Sequence, residues 1–364
     1  MKKLILALIC AATLFTSCAS SGGTVMSFGS AKVSEAEYKY WMATYKARYI
    51  SAYTDIQDSA AYWSSKLTES SEVSNEELVN GLIRQNIKTN LVAMGLFAEN
   101  GLTLSDEKKD EIDEYINSMV DELADGSRKT LNAELAEFGV NINTLRNIFI
   151  NEQKVTELYD YYYGDNGATP LTDAQRNEYY ENNYVRFVQI NVNDAFVYEE
   201  DEGGTYIQNT DGSYKTRDLN DEEKAEKNKK IAEIEALIAE GNDIEELYSE
   251  YSENTSYPNG YYFSSATAAN YVGEIVTQAF KLGEGEWTKV VSEKYGTFFI
   301  KRLPLDEGAY ASEENSDFFG GYDDTVKQDL YDTLITSHFD EITVDEELLN
   351  AVSVADIKAN YSYY

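Results

Sequence analysis

Few side chains in this sequence could carry out chemistry that requires an imidazole or a thiol. The 364 residues include one histidine, His338, and two cysteines, Cys10 and Cys18. A single imidazole excludes a paired-histidine site within one chain, and no C-x-x-C pair, Gly-rich phosphate loop or G-x-S-x-G elbow is present. The pattern around His338 favours a core or helix-end position over a catalytic one. Chemistry that depends on paired histidines, paired thiols or a phosphate loop is therefore not expected.

Acidic residues dominate the charged side chains. The sequence has 65 Asp and Glu against 30 Lys and Arg, which gives a formal net charge of −35. Such a chain repels phosphate backbones, so we expect no nucleic-acid partner. The acidic runs at 199–202 and 221–223 lack the D-x-[DN]-x-[DN]-G spacing that wraps a calcium ion. We interpret these runs as solvated surface and expect neither a metal nor a cofactor.

The first 18 residues have the layout of an export signal. Lys2 and Lys3 precede an apolar run over residues 4–15, and about 12 residues are too few to span a bilayer. The residues before Cys18 resemble the lipobox of bacterial lipoproteins, in which that cysteine becomes the lipid-bearing N-terminus. We predict a signal peptide over 1–17, a lipid anchor on Cys18 at the extracytoplasmic face of a bacterial cell membrane, and a flexible tether over 18–33. The alternative is a cleaved signal with an incidental cysteine.

The elements that must position the remaining side chains begin with helices. Ser34, Ser74 and Ser105 each precede apolar residues at helical spacing. The first two are followed three residues later by Glu37 and Glu77, the signature of a capping box. Residues 34–171 are therefore predicted to form a helical domain.

The pattern changes after Pro170. Residues 184–192 are rich in β-branched and aromatic side chains and predict a strand, as do 287–291 and 297–303. Helices are predicted between these strands, and residues 194–220 predict a hairpin excursion. This order indicates a compact α+β domain over 172–305. In the last segment, 306–364, one long amphipathic helix over 322–341 is predicted to pack back on the helical domain.

Four segments resemble the parvulin-type prolyl isomerases. Residues 185–192 are similar to the first strand of that family, V-R-x-x-H-I-L-V, and residues 241–253 to its G-x-D-F-x-x-L-A-x-x-Y-S-x-D segment. Residues 271–286 and 295–301 resemble M-V-P-E-F-x-x-A-A-F-x-L-x-x-G-E and F-G-Y-H-I-I-K, in the same order. The layout matches PrsA/SurA-like exported foldases. The resemblance implies an α+β protein in which a parvulin-like domain is inserted in a mostly helical chaperone domain.

The resemblance also implies the positions of an isomerase site. The family uses two ring-paired histidines and a Cys or Asp, and the matching positions here hold Gln189, Phe298 and, approximately, Asn254. A polar network in which phenylalanine replaces an imidazole lacks one partner, so we expect weak or absent isomerase activity. The alternatives are interior positions for Gln189 and Phe298 and a turn position for Asn254. The residues implied to grip the proline ring are Tyr271, Ile275 and Phe280.

Three functions are compatible with these features. The first is a membrane-anchored foldase or chaperone that holds unfolded or newly exported polypeptides in a cleft between its two domains. The second is a weakly active prolyl isomerase, so whether the chain is an enzyme stays open. The third is a non-catalytic surface lipoprotein that binds a wall or host partner. The tyrosine clusters at 159–163 and 261–262 either grip polypeptide or sugar, or pack between helices.

Overall fold

The protein divides into two compact units in a computed structural model that describes residues 22–53, 56–268 and 271–364. One unit contains the described residues up to Pro170 together with Gln328–Tyr364, and the other is Leu171–Lys327. The first is mostly helical and the second is built on a four-stranded sheet, so the predicted α+β class is confirmed. The predicted signal peptide and Cys18 lie outside the described residues.

The first unit is a helical body with a small sheet at its start. Side-chain oxygens of Ser34 and Ser74 accept hydrogen bonds from the amides of Glu37 and Glu77, and both glutamates return the contact, so the two predicted capping boxes are confirmed. Each box satisfies backbone donors that the first helical turn leaves unpaired. The elements before Pro170 are β1 (Thr24–Phe28), β2 (Ala31–Ser34), α1 (Glu35–Ala52), α2 (Ala60–Ser64), α3 (Asn75–Glu99), α4 (Asp106–Leu123), α5 (Arg128–Leu135) and α6 (Ile142–Tyr163).

The C-terminal residues complete the core of this unit. They follow α11 (Tyr322–Thr336) and include β9 (Thr343–Val344) and α12 (Glu346–Asn350). Strand β9 pairs antiparallel with β1, which gives the sheet order β2-β1-β9. Tyr331 and Ile335 of α11 are buried in the same core cluster as Trp41 and Leu91 of the N-terminal helices. Apolar burial of this kind is the main stabilising contribution to such a body.

The predicted flexible tether over 18–33 is wrong from Thr24 onwards. Residues of that segment form β1 and β2, and the side chains of Val25, Met26 and Val33 are fully buried. The serines and glycines around them suggested a linker, but four apolar residues in this stretch pack into the core. The partner strand β9 comes from the other end of the chain, so no local pattern announces the pairing. Residues 18–21 lie outside the described residues.

The long C-terminal helix is shorter than predicted. It ends at Thr336 rather than continuing to residue 341, and a 3-10 turn over Phe339–Glu341 follows. The apolar spacing predicts a stripe of Val326, Leu330, Leu334 and His338 or Phe339. Val326 is buried, but Leu330 and Leu334 are half-buried, whereas the adjacent Tyr331 and Ile335 are buried. Helical spacing sets the width of an apolar face but not which of two neighbouring rows faces the core.

His338 lies beside this turn, at the end of the helical segment. Its ring centroid is 5.5 Å from that of Phe28, and its Nδ1 is 2.7 Å from Oε1 of Glu341. The predicted position at a helix end is confirmed.

The second unit is a four-stranded antiparallel sheet with helices on both faces. From one edge to the other, the strands are β6 (Tyr261–Ser264), β3 (Tyr184–Val192), β8 (Gly296–Leu303) and β7 (Trp287–Ser292). The sequence analysis predicted no strand at Tyr261–Ser264, which forms β6, because all four side chains are buried and show no alternation. The elements are α7 (Asp173–Asn183), β3 (Tyr184–Val192), β4 (Val197–Tyr198), β5 (Thr216–Arg217), α8 (Asp221–Ala239), α9 (Ile244–Tyr251), β6 (Tyr261–Ser264), α10 (Gly273–Lys281), β7 (Trp287–Ser292) and β8 (Gly296–Leu303).

The two faces of this sheet bury different sets of side chains. Val188, Ile190 and Val192 of β3 pack with α8 and α9. Val185 and Phe187, at alternate positions of the same strand, pack with α10 and β6. This period of two is the normal consequence of a pleated strand. It places Gln189 and Asn191 on the α10 face.

Candidate functional site

The α10 face of the sheet brings together most of the positions implied by the parvulin resemblance. Gln189 is paired with Ile300 of the neighbouring strand and Asn191 with Phe298, so Gln189 and Phe298 are diagonal neighbours on this face. Ile275 of α10 and Phe298 belong to one buried cluster, against which Tyr271 packs. The structure therefore assembles Gln189, Phe298, Tyr271 and Ile275.

Gln189 makes its contact inside the protein. Its side chain is 1% exposed, and its Nε2 donates a hydrogen bond to the Tyr271 hydroxyl at 2.5 Å. Its Oε1 is buried without a hydrogen-bond partner among the described residues, as is the Nδ2 of Asn191. The Tyr261 hydroxyl is also buried and makes no hydrogen bond of normal geometry there. The cluster is thus polar, enclosed and only partly satisfied, an arrangement that costs free energy.

The tyrosines of this cluster stay neutral. Burial raises the pKa of the Tyr271 hydroxyl. Burial also raises the pKa of the Tyr261 hydroxyl, and the nearby Tyr271 adds to that effect. Neither phenol ionises near neutral pH, because desolvation disfavours the phenolate. The site can therefore offer neutral hydrogen-bond donors and acceptors but no charge.

Aromatic rings close the site. The Tyr271 ring stacks on Phe263 with centroids 4.9 Å apart, and the Tyr257 ring lies 4.9 Å from Tyr261. Phe318 packs against Tyr257 at 4.8 Å. Beneath them Phe298 is only 4% exposed. Because Gln189 is 1% exposed and bonded to Tyr271, its amide has no open path to a bound peptide while these rings stay packed.

Two of the implied positions lie apart from this cluster. Asn254 is exposed, and its Oδ1 accepts a hydrogen bond from the amide of Ser256 at 3.1 Å. This is the turn position that the sequence offered as the alternative, since asparagine often bonds to the backbone two residues ahead. Phe280 is 39% exposed on α10, whose buried side chains are Ile275, Val276 and Ala279.

Sequence reasoning missed Asn191, Tyr257 and Tyr261 as parts of the site. Asn191 had a readable signal, because a residue two positions beyond Gln189 in a strand shares its face. Tyr257 is placed by the Tyr248 hydroxyl, which accepts a hydrogen bond from the Tyr257 amide at 3.2 Å. That contact joins a loop to α9, and no local sequence pattern predicts it.

A separate groove of about 380 Å³ in the second unit is lined by three cationic side chains, two glutamates and apolar residues. Two of the cationic side chains form ion pairs, Arg186 with Asp306 at 2.5 Å and Lys301 with Asp243 at 2.6 Å. The third, Arg302, donates to a main-chain oxygen near the end of α10 at 3.2 Å. These cations hold the sheet, a loop and two helices together, which is a structural role.

The described ranges contain no cluster of His, Cys, Asp and Glu with the geometry to hold a metal ion. Within the same ranges, every helix is too short or too polar to cross a membrane.

The chain is 28% identical over 131 residues to the foldase protein PrsA of Oceanobacillus iheyensis. The chain is similar to PrsA foldases. The match covers 36% of this chain and 41% of the length of that relative. The resemblance to PrsA-like, parvulin-type foldases inferred from the four segments is thereby confirmed. No family model matches the sequence.

Two solved structures of PrsA align with the chain. The PrsA of Bacillus subtilis is 18% identical, with 79% of this chain and 88% of that chain covered and a TM-score of 0.24. The PrsA of Bacillus cereus is 17% identical, with 83% and 96% covered and a TM-score of 0.26.

Proposed function

We propose that this chain is a foldase or chaperone that assists exported polypeptides without catalysing proline isomerisation. The ordered parvulin-like segments and the similarity to PrsA support the foldase part of the proposal. We assign the described residues up to Pro170, together with Gln328–Tyr364, to a chaperone body. We assign the unit Leu171–Lys327, which contains the predicted segment 172–305, to a parvulin-like domain. Residues 306–327 therefore go with the parvulin-like domain and not, as predicted, with the C-terminal segment. The partners are unfolded or newly exported polypeptides.

The enclosure of Gln189 carries the non-catalytic part of the proposal. Rotation about a peptide bond faces a barrier of about 18–20 kcal/mol, and a catalyst must contact the twisting amide to lower it. The side chains of Gln189 and Phe298 are 1% and 4% exposed. The Nε2 of Gln189 already donates its hydrogen bond to the Tyr271 hydroxyl. A peptide cannot reach these groups while the rings stay packed. Holding an unfolded chain requires no such access.

Aggregation of a denatured client protein tests the holding activity. The chain at several-fold molar excess is expected to suppress light scattering as the client is diluted from denaturant. A protease-coupled assay on a proline peptide is expected to give the rate of buffer alone. Unchanged aggregation would refute the chaperone function, and a rate well above buffer would refute the non-catalytic one.

We further propose that Cys18 carries a lipid that holds the chain at the extracytoplasmic face of the membrane. The export-signal layout before Cys18 supports this. Cells fed a labelled fatty acid should incorporate it into the wild-type chain and not into the Cys18→Ser variant, which should be released from the membrane fraction. An unlabelled wild-type chain would contradict the proposal.

A further inference from the structure

Residues 198–217, between β3 and α8, contain an eight-residue repeat, named here the tyrosine repeat. Tyr198, Tyr206 and Tyr214 are eight residues apart, as are Gly204 and Gly212, which adopt φ values of +79° and +84°. Equivalent turn hydrogen bonds also recur at this spacing. The amide of Gly204 donates to the oxygen of residue 201 at 3.0 Å, and that of Gly212 to residue 209 at 3.1 Å. The segment therefore contains two successive tight hairpins of the same construction.

A third strand pair, between the two ends of the segment, closes the two hairpins into a ring. The amide of Glu199 donates to the oxygen of Lys215 at 2.9 Å, Lys215 to Ile207 at 2.8 Å, and Ile207 to Glu199 at 2.9 Å. The antiparallel pairs 200 with 206, 208 with 214, and 216 with 198 follow the same eight-residue step. The result is a closed, pseudo-threefold arrangement in which the three tyrosines occupy equivalent positions.

This closure gathers the tyrosine rings at the surface. The ring centroids of Tyr198, Tyr206 and Tyr214 are 5.3, 5.7 and 5.8 Å apart, while the side chains are 40%, 50% and 48% exposed. The three rings belong to none of the core clusters found among the described residues. In that same part of the chain their hydroxyls have no hydrogen-bond partner. Three half-exposed rings in mutual contact, with Phe196 5.0 Å from Tyr198, form an aromatic patch at the surface.

The negative charge around the patch favours a positively charged ligand. Four consecutive acidic residues, 199–202, follow Tyr198. The carboxylates of Glu200 and Glu202 are exposed and have no ion-pair partner within the described ranges. Of the two bases in the repeat, Lys215 and Arg217, the second is paired with a glutamate at 2.7 Å. Tyrosine faces attract ammonium and guanidinium groups, and the net charge of −35 adds a long-range attraction for cations.

We infer that the tyrosine repeat binds lysine and arginine side chains of unfolded, basic polypeptide segments. Aromatic faces would contact the cationic groups while Glu200 and Glu202 neutralise them. The choice of an unfolded polypeptide as partner rests on the proposed foldase function. The preference for cations does not depend on that function, because it rests on the rings, the carboxylates and the net negative charge.

Fluorescence anisotropy of a labelled, unstructured peptide tests the inference on the full chain. The probe is a Gly/Ser peptide containing four lysines and four arginines, with a matched peptide that carries glutamates instead. The basic peptide should bind and the acidic one should not. The combined Tyr198→Leu, Tyr206→Leu and Tyr214→Leu variant should bind at least about tenfold more weakly, because it loses all three aromatic faces that attract the cations.

Two further variants separate the role of the rings from folding. The triple Tyr→Phe variant keeps the aromatic faces and should retain binding. Tyr361→Leu removes another exposed tyrosine, 53% exposed and far along the sequence, and should change nothing. If the triple Leu variant is misfolded by circular dichroism, Glu200→Gln with Glu202→Gln replaces it and should weaken binding and flatten its salt dependence.

The outcomes distinguish this inference from the proposed function. Peptide binding that is insensitive to both the ring and the carboxylate substitutions would overturn the inference, as would tyrosine-dependent binding of a neutral oligosaccharide in place of the basic peptide. Suppressed client aggregation alongside such a result would leave the chaperone function standing. Ring-dependent peptide binding without suppressed aggregation would support the surface and contradict the chaperone function.

Discussion

At the scale of single residues, the hydrogen bond between Gln189 and Tyr271 decides how much stability the buried polar groups of the parvulin-like unit cost. The amide is enclosed, and its Nε2 has the Tyr271 hydroxyl as partner while its Oε1 has none among the described residues. A buried amide that loses its remaining partner pays its full desolvation cost. Removal of both polar groups instead leaves an apolar pair that can be nearly neutral.

We therefore predict opposite consequences for one and two substitutions. Tyr271→Phe should lower the free energy of unfolding by about 1–3 kcal/mol, and adding Gln189→Leu should recover most of that loss. Urea denaturation of both variants measures this. Tyr206→Phe removes an exposed hydroxyl of the same unit and serves as a control with no expected change. Additive losses in the double variant would contradict the prediction.

Glu152 gives a pH dependence in the helical unit. Burial raises the pKa of this carboxyl, although its Oε1 accepts a hydrogen bond from the Trp41 indole at 3.2 Å. The folded state thus binds the proton more tightly than the unfolded state. Ionisation of Glu152 then costs stability above its folded-state pKa, and the cost vanishes below the unfolded value of about 4.3.

Glu152→Gln keeps an acceptor for the Trp41 indole and removes the charge. The variant should unfold at a higher temperature than wild type near pH 7, and the difference should shrink towards about pH 4. Thermal melts across this range measure the effect. A variant less stable than wild type at neutral pH would contradict the stated sign.

The arrangement of the site residues could be predicted only in part from the sequence. Gln189 and Phe298 were located by resemblance, and the strand register then placed them on one face. Their enclosure was not readable, because it depends on Tyr257 and Phe318, which reach the site from loops. Contacts between distant segments of this kind leave no periodic pattern.

At the scale of elements, the turn between β7 and β8 depends on a glycine. Gly296 has a φ of +93°, and a Cβ there would lie 2.5 Å from the oxygen of Val192 and 2.8 Å from the amide nitrogen of Asp194. Both are backbone atoms of the adjoining strand end and cannot move without breaking the pairing. Gly285 also has a positive φ, +80°, but its Cβ position meets no atom within 4 Å.

The two glycines form a matched pair for a stability test. Gly285→Ala should cost roughly 1–2 kcal/mol through the left-handed backbone alone. Gly296→Ala should cost clearly more, because the backbone clash is added to the same strain. Chemical denaturation compares them, and equal losses in the two variants would show that the close approach at Gly296 is unimportant.

Elements with local signals were predictable, whereas those with distant partners were not. The capping boxes at Ser34 and Ser74 satisfy donors within the same turn, so four residues of sequence contain the whole signal. Strand β1 pairs with β9 more than 300 residues later. The eight-residue period of the tyrosine repeat is visible in the sequence, but its closure by a third strand pair is visible only in the structure.

At the scale of the whole molecule, the excess of Asp and Glu over Lys and Arg destabilises the folded state. A net charge of −35 spread over one chain repels itself, and dissolved salt screens that repulsion with a Debye length of about 10 Å at 0.1 M. Ion pairs such as Arg176 with Asp323, at 2.8 Å, offset only part of it.

The unfolding temperature should therefore rise when sodium chloride is increased from about 0.02 to about 0.3 M. Sodium and potassium chloride should have the same effect, because screening does not depend on the identity of the cation. Thermal melts monitored by circular dichroism measure this. A rise produced only by low millimolar calcium would indicate a specific cation site and contradict a screening mechanism.

The early start of β1 limits how far the proposed lipid anchor lets the protein reach. Thr24 begins this strand only six residues after Cys18, and an extended chain covers at most about 3.6 Å per residue, or about 22 Å in all. In an anchored chain, the linker between the lipid and the helical unit would thus be shorter than the longest helices of that unit. An anchored protein of this kind would stay at the membrane surface. It would bind polypeptides as they emerge from the membrane rather than at a distance from it.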